Sequence, residues 1–289
     1  MKQLHFGREP IYFSGVNCYC NCAINIAAFE GAEYQKAFGR LWSETDFEYN
    51  SLHGVYVSKR LYKSLEIMGI SFEALDCGSA AEAEEGMSRI EIGDFAIIGM
   101  DSFDIPWNPF YQMLHCLHYF IGFREKEGRI YCIDPMNNLE SIYMREDEIT
   151  AYAFDLKLLH RSKGKQPNEK SAEDAQELID SSAHIKKKFI DEIRCCKGEN
   201  HKNAKKLAMY ADALTGNRYL YKSYIQSIQP NAAGLFDKSF FSSRQAVKNG
   251  LLKASMTENN GKIIEELCTR ITSLLDQETA MACRAIDNE

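Results

Sequence analysis

A change in hydrophobic periodicity along the chain is the strongest constraint on its fold. Short apolar runs bounded by turn residues, typical of strands, occur up to about residue 160, whereas from residue 172 the apolar residues recur at helical spacing. Between them lies a polar stretch, residues 161–175, that is typical of a linker or a long surface loop. We therefore predict an α+β domain in residues 1–160, a linker or loop over 161–175 and a helical domain in residues 172–289.

The first domain is predicted to contain a buried helix and an antiparallel hairpin. Asn17 is a favourable N-cap for an apolar helix that Gly31 would end, and a second helical pattern covers residues 55–69. Three strands are predicted, with a turn at residues 125–128 joining the last two: residues 94–101, 118–124 and 129–134.

Composition and charge restrict the classes of function. The chain has 289 residues and a formal charge of −7, and no recognised nucleic-acid motif or membrane-spanning run is present, which argues against nucleic-acid and membrane partners. Acidic residues exceed basic ones by 24 to 13 in residues 1–160, whereas basic residues exceed acidic ones by 21 to 17 in residues 161–289. The first residues lack the apolar core of a signal peptide, so we expect a cytoplasmic protein whose ten cysteines are mostly thiols.

Three cysteines at alternate positions precede the apolar part of the first helix: Cys18, Cys20 and Cys22. Cys18 directly follows the predicted cap, where unpaired backbone N–H groups and the helix dipole stabilise a negative charge. Cys22 is expected to pack in the core beneath it, and Cys20 to face away. A core role for all three is the alternative, because cysteine is among the most buried residue types.

A nucleophilic cysteine needs a base, and the base needs an orienting group. His118 opens one strand of the predicted hairpin and Asp134 closes the other, at similar distances from the turn, so the two are expected to be neighbours. His115 is a rival base. A core histidine and a turn-forming aspartate before Pro135 are the alternatives.

The same histidines and cysteines could in principle hold a metal. Zinc motifs favour cysteines separated by two residues, and alternate cysteines on a helix diverge, so the spacing argues against a metal site. We expect neither a metal nor an organic cofactor.

Two stretches of the sequence resemble a known family. Residues 17–31, NCYCNCAINIAAFEG, are similar to the catalytic stretch of papain-like cysteine peptidases of the bacteriocin-processing type, in which a cysteine starts a helix and a glycine follows thirteen residues later. Residues 97–135, IIGMDSFDIPWNPFYQMLHCLHYFIGFREKEGRIYCIDP, resemble the N-terminal domain of the butirosin-biosynthesis acyltransferase family. The resemblance covers roughly residues 12–155.

The resemblance implies a papain-like cysteine peptidase fold, with a central helix packed on an antiparallel sheet. It also implies a triad in which Cys18 is the nucleophile, His118 the base and Asp134 the orienting group. Tyr12 stands where papain-like peptidases have a glutamine that donates to the oxyanion. The backbone N–H of Cys18 supplies one donor, and the candidates for the second are Tyr12, Ser14 and Asn17.

The resemblance further implies amide-forming acyl transfer in the biosynthesis of secondary metabolites such as antibiotics. Similar enzymes, including the closthioamide amide synthase, move an acyl group from the phosphopantetheine thioester of an acyl or peptidyl carrier protein to a small amine. Asp101, Asp104 and Trp107 are candidates for binding that amine, and the basic second domain for docking an acidic carrier protein. A papain-like peptidase or thioester hydrolase and an inactive papain-like binding module are the alternatives.

Overall fold

The computed structural model describes residues 9–287 except residues 14, 52–53, 168–170, 229–233 and 235. The protein has an α+β fold with a six-stranded antiparallel sheet. In chain order its helices and strands are α1 (Cys18–Phe29), β1 (Phe47–Asn50), β2 (Val55–Ser58), α2 (Lys59–Ile67), β3 (Ile70–Asp76), α3 (Ala80–Ser88), β4 (Phe95–Asp101), β5 (Leu117–Lys126), β6 (Arg129–Asp134), β7 (Leu139–Arg145), α4 (Glu146–Thr150), β8 (Ala153–Arg161), α5 (Ser171–Cys195), α6 (Asn203–Ile228), α7 (Lys238–Ala254) and α8 (Gly261–Asp287).

The chain divides into two compact units, and the second is not continuous in sequence. The first unit comprises Met1–Tyr34 and Leu65–Gln166, and the second comprises Gln35–Ser64 and Pro167–Glu289. The division at Gln166 falls inside the predicted linker, but residues 35–64, which the sequence assigned to the first domain, belong with the helices.

The predicted linker is too long at its C-terminal end. Helix α5 already begins at Ser171, and Asp174 is fully buried. Its carboxylate accepts hydrogen bonds from the backbone N–H groups of Trp42 (3.1 Å) and Ser43 (3.2 Å) and from the Ser43 hydroxyl (2.5 Å). The polar character of this stretch is therefore due partly to a buried residue, Asp174, and not only to a surface loop. The hydrogen bonds of Asp174 also hold Trp42 and Ser43, and with them part of residues 35–64, in the second unit.

The sheet of the first unit has the order β3-β8-β4-β5-β6-β7, and every neighbouring pair is antiparallel. Helix α1 packs against β4 and β5, and its residues from Cys20 to Ala28 are buried. Alternate residues of β4, together with Phe120 of β5, also contribute to a core that includes Met87 of α3. Covering on both faces explains why β4 is an uninterrupted apolar run in the sequence.

The three predicted strands are confirmed as β4, β5 and β6, within a residue or two at each end. The predicted hairpin turn is also present, with Lys126 opposite Arg129 and Gly128 at a φ of 68°. The helix predicted over residues 55–69 begins only at Lys59, because residues 55–58 form β2. Ser58 marks the change, since its hydroxyl accepts the backbone N–H of Leu61 and so caps α2.

The second unit contains a two-stranded hairpin, β1-β2, and the helices α5, α6, α7 and α8. A buried ion cluster lies in its interior. The Glu278 carboxylate accepts hydrogen bonds from Trp42 Nε1 (2.8 Å), from Arg218 Nε (2.8 Å) and from Arg244. Both arginines and the glutamate are almost completely buried, so each charge depends on the others for compensation.

We expect Glu278→Ala to lower the free energy of unfolding of the second unit by about 3–5 kcal/mol, because it leaves two buried guanidinium groups without their carboxylate. The matched control is Asp276→Ala on the same helix, which removes an exposed ion pair with Lys186 and should cost less than about 1 kcal/mol. Urea denaturation of the full chain measures both. Equal effects of the two substitutions would contradict the structural role of the cluster.

Among the residues that the structure describes, no helix combines the length and the apolar character needed to cross a bilayer.

Candidate active site

Helix α1 begins with a capped first turn that places Cys18 at its start. The Asn17 side chain accepts the backbone N–H of Cys20 at 2.8 Å, which confirms the predicted cap and makes Cys18 the first helical residue. At the other end Gly31 has a φ of 79°, and the N–H of Ala32 donates to the carbonyl of Ala27, a glycine-terminated end that also confirms the prediction. Both ends of the helix are therefore fixed by local sequence.

Two further asparagines of α1 bind the chain segment that precedes the helix. Asn25 exchanges hydrogen bonds with the backbone of Ile11 (2.7 and 2.8 Å), and Asn21 does the same with Phe13 (2.9 and 3.3 Å). Both asparagines are fully buried. Together with Asn17 they recur every four residues along one side of the helix. The spacing is visible in the sequence, but the partners of Asn21 and Asn25 are not.

The start of β5 and the end of β6 bring His118 and Asp134 together. His118 Nε2 lies 2.7 Å from Asp134 Oδ2, the juxtaposition that the hairpin geometry predicts. His118 is buried and Asp134 has no exposed surface. The catalytic role of the pair stays a prediction, but their contact is a feature of the fold.

Asp134 is surrounded by donors. Its Oδ2 accepts the Trp107 indole N–H (2.9 Å) and the Asn137 amide (2.7 Å) in addition to His118, and its Oδ1 accepts the backbone N–H groups of Met136 (3.1 Å) and Asn137 (3.3 Å). Burial alone would raise the pKa of this carboxyl, but the hydrogen bonds, chiefly from His118, lower it below its ordinary value. Asp134 is thus held as a carboxylate.

Cys18 completes the arrangement because its side chain lies beside the His118 imidazole and helps to raise the pKa of that ring. Since Asp134 occupies Nε2, Nδ1 is the ring nitrogen that remains for the cysteine. Burial lowers the pKa of His118, but the contacts with Asp134 and Cys18 outweigh it and raise the pKa to about 10. At neutral pH the imidazole is therefore cationic.

The other two cysteines of the motif belong to the core. Cys20 and Cys22 are buried, and burial, together with the nearby Cys18 and Asp134, raises the pKa of Cys22 well above its ordinary value. The raised pKa disfavours the thiolate of Cys22, and the prediction that Cys22 packs beneath Cys18 agrees with its complete burial.

The raised pKa of His118 predicts a pH-dependent contribution to stability. The pKa of His118 is higher in the folded state, about 10, than the value of about 6.5 expected when the chain is unfolded. Protonation of His118 therefore stabilises the folded state fully below pH 6.5, and this contribution is lost as the pH rises towards 10. We expect the difference in unfolding free energy between the wild type and His118→Gln to shrink by at most about 1.4 kcal/mol per pH unit over this window. Urea denaturation at pH 6.0, 7.5 and 9.5 measures it, and a difference that grows with pH would contradict the assignment.

The remaining candidates occupy varied positions. Tyr12 is half exposed between the two residues that Asn21 and Asn25 bind, Ser14 lies outside the described residues, and the Asn17 carboxamide oxygen is already used by the cap. The cap uses only the oxygen of Asn17 and leaves its Nδ2 group, the part of this side chain that can donate, so the second oxyanion donor stays a prediction. Trp107 donates to Asp134 and packs against Phe120, and its predicted role in substrate binding stays a prediction.

Asp101 binds a neighbouring loop of the protein. Its Oδ1 accepts the backbone N–H groups of Phe103 and Cys116, both at 3.0 Å, and its Oδ2 lies 3.0 Å from Nδ1 of His115. His115, the rival base, thus has Asp101 as its carboxylate partner, and its side chain is 73% exposed. Burial and the negative charge of Asp101 raise the pKa of Asp104. Amine binding by Asp101 and Asp104 stays a prediction.

No group of three or more histidine, cysteine, aspartate or glutamate side chains is arranged to hold a metal ion within the described part of the chain. All ten cysteines are present as thiols.

Comparison with known proteins adds no relative from which a role could be transferred. No protein-family model matches the sequence, and the search of curated proteins gives no significant match. The geometry of Cys18, His118 and Asp134 is consequently the basis for any functional assignment.

Proposed function

We propose that the protein is a papain-like, cysteine-dependent acyltransferase that forms amides. The observation that carries this proposal is the relay in which Asp134 binds Nε2 of His118 at 2.7 Å and the same imidazole lies beside Cys18 at the start of a buried helix. Nucleophile, base and orienting group are the three roles that covalent acyl transfer requires.

The first half of the reaction acylates the cysteine. The Cys18 thiolate attacks the carbonyl carbon of a thioester, the bond from that carbon to the donor sulfur breaks, and the departing thiolate takes the proton from the His118 imidazolium. In the second half the neutral imidazole accepts a proton as an amine attacks the acyl-Cys18 thioester. The C–N bond of the amide forms, Cys18 leaves as a thiolate, and His118 is again cationic.

A thioester donor suits the oxyanion environment described above. A thiolate is a far better leaving group than an amine, so cleavage of a thioester needs less stabilisation of the tetrahedral intermediate than cleavage of a peptide. The identified contacts include no side-chain donor equivalent to the papain-like glutamine, and the helix-start N–H groups of α1 are the natural donors. We therefore favour an acyl or peptidyl carrier protein with a phosphopantetheine thioester as donor and a small amine as acceptor, in the cytoplasm.

Intact-mass measurement after incubation with acylated carrier proteins tests the proposal. We expect the mass of one acyl group to be added, mapped to Cys18 by peptide analysis, and to be discharged as an amide when a diamine or aminosugar is supplied. Cys116→Ala is the matched control, because this exposed cysteine lies two residues from His118 and could be acylated adventitiously. Peptide cleavage or free acid as the only product would favour a peptidase or a thioester hydrolase, and absence of any adduct would favour a binding module.

A further inference from the structure

The loop that leads into β5 exposes an unusual number of large apolar side chains. Met113 is 78% exposed and Leu114 52%, and the other members are also exposed: Phe110, Tyr111 and Leu117. Single exposed apolar residues are ordinary, but five within eight consecutive residues are typical of a binding surface. We call residues 110–117 the apolar loop.

The backbone of the apolar loop is well organised although its side chains face solvent. The N–H groups of Met113 and Leu114 donate to the carbonyl of Phe110, and the N–H of Gln112, which has a φ of 55°, donates to the carbonyl of Phe103. Asp101 then binds the loop end through Cys116 and His115, as described above. The apolar side chains are thus presented by a folded segment, which lowers the entropic cost of binding a ligand to them.

The position of the apolar loop links it to the candidate active site. Its last residue, Leu117, directly precedes His118, and Trp107, a few residues before the loop, donates to Asp134. Leu117 is paired with Asp101 at one end of the β4–β5 ladder, whereas Ile92, another exposed apolar residue, precedes β4 at the opposite end. A group attached to Cys18 therefore lies at the same end of this strand pair as the loop.

We infer that the apolar loop binds an apolar acyl group as the donor delivers it to Cys18, so that the enzyme selects extended hydrocarbon-like acyl groups over short ones. This inference rests on the proposed function. Charge supports an uncharged ligand, because His115 is the only titratable side chain besides Tyr111 and Cys116 in residues 110–117 and it is bound to Asp101. An amine acceptor is cationic and an acidic carrier protein is anionic, and the loop offers no unpaired charge for either.

A series of small thioesters of one short thiol, from acetyl to octanoyl, tests the inference without a carrier protein. We expect kcat/KM for acylation of Cys18 to rise about two- to fourfold for each methylene added to the acyl group. This is the range expected when each methylene is partly to fully buried against the loop. The double variant Met113→Ser/Leu114→Ser should reduce the octanoyl-to-acetyl ratio at least about tenfold. The matched control is Ile92→Ser, which removes a comparably exposed apolar side chain elsewhere in the same unit. It should leave the octanoyl-to-acetyl ratio unchanged.

The outcomes separate failure of this inference from failure of the proposed function. If no donor acylates Cys18, the proposed function fails. If acylation occurs but the ratio is flat along the series, or is the same in the double variant, the loop does not select the acyl group. If the double variant slows transfer only from intact carrier proteins, the loop is a protein-docking surface and the inference is wrong. Circular dichroism and thermal unfolding of each variant establish that the fold is retained.

Discussion

Replacing Cys18 with alanine is expected to abolish acyl-adduct formation and to lower turnover by at least about a thousandfold. In the proposed reaction the sulfur is the atom to which the acyl group is transferred, and Cys20 and Cys22, the neighbouring thiols, are buried in the core of the first unit. Stopped-flow or quenched measurements of acylation with a thioester donor, together with intact mass, give the rate and the site.

Cys20→Ala and Cys22→Ala are the comparison within the same helix. They should lower the free energy of unfolding by about 0.5–3 kcal/mol, as core substitutions do, while the protein that remains folded still acylates Cys18. An active Cys18→Ala variant, or adducts that map to Cys116 and disappear in Cys116→Ala, would refute the proposed nucleophile.

Replacing His118 with alanine is expected to lower kcat/KM by about 10²–10⁴-fold, the range typical of loss of a general acid–base group. His118 is hydrogen-bonded to Asp134 and lies beside Cys18, whereas His115 is exposed and bound to Asp101. His115→Ala should therefore change kcat/KM less than about tenfold. Steady-state kinetics with one thioester donor and one amine measure both variants.

Asp134→Asn extends the test from the base to its orienting group. An amide at this position would keep a hydrogen-bonding oxygen or nitrogen near Nε2 but would remove the negative charge that raises the pKa of His118. The apparent pKa of His118, read from the pH dependence of kcat/KM, should then be lower in Asp134→Asn than in the wild type. A larger loss in His115→Ala than in His118→Ala would show that the base is misassigned, whatever the effect at Asp134.

The parts of the site that sequence could predict are those fixed by neighbours in the chain. Asn17 and Gly31 define the ends of α1 through local backbone geometry, and the turn at residues 125–128 places His118 and Asp134 at the same end of a hairpin. The role of Trp107 was missed because it depends on a loop that crosses to Asp134. Asn21 and Asn25 were missed because they are polar residues inside an otherwise apolar helix, and only their partners Ile11 and Phe13 explain them.

Long-range contacts account for the errors in domain organisation. Residues 35–64 belong to the second unit because Asp174 and Glu278 bind the backbone and side chains of Trp42 and Ser43, more than a hundred residues away in sequence. A glycine does not end every helix, since α6 continues past the buried Gly216 to Ile228. Strands β3, β7 and β8 and helix α7 carried patterns too weak to identify in isolation.

The three side chains of the relay differ greatly in how far apart they lie along the chain. His118 and Asp134 are separated by 16 residues within one hairpin, whereas Cys18 joins them across about 100 residues. Closing the longer loop costs about 1.6 kcal/mol more in chain entropy. We therefore expect the histidine–aspartate contact to form early in folding and the cysteine to acquire its partner only when α1 docks on the sheet. The rate at which Cys18 reacts with an alkylating reagent would then follow the docking of this helix, so that the thiol is a natural reporter of the last long-range contact in the first unit.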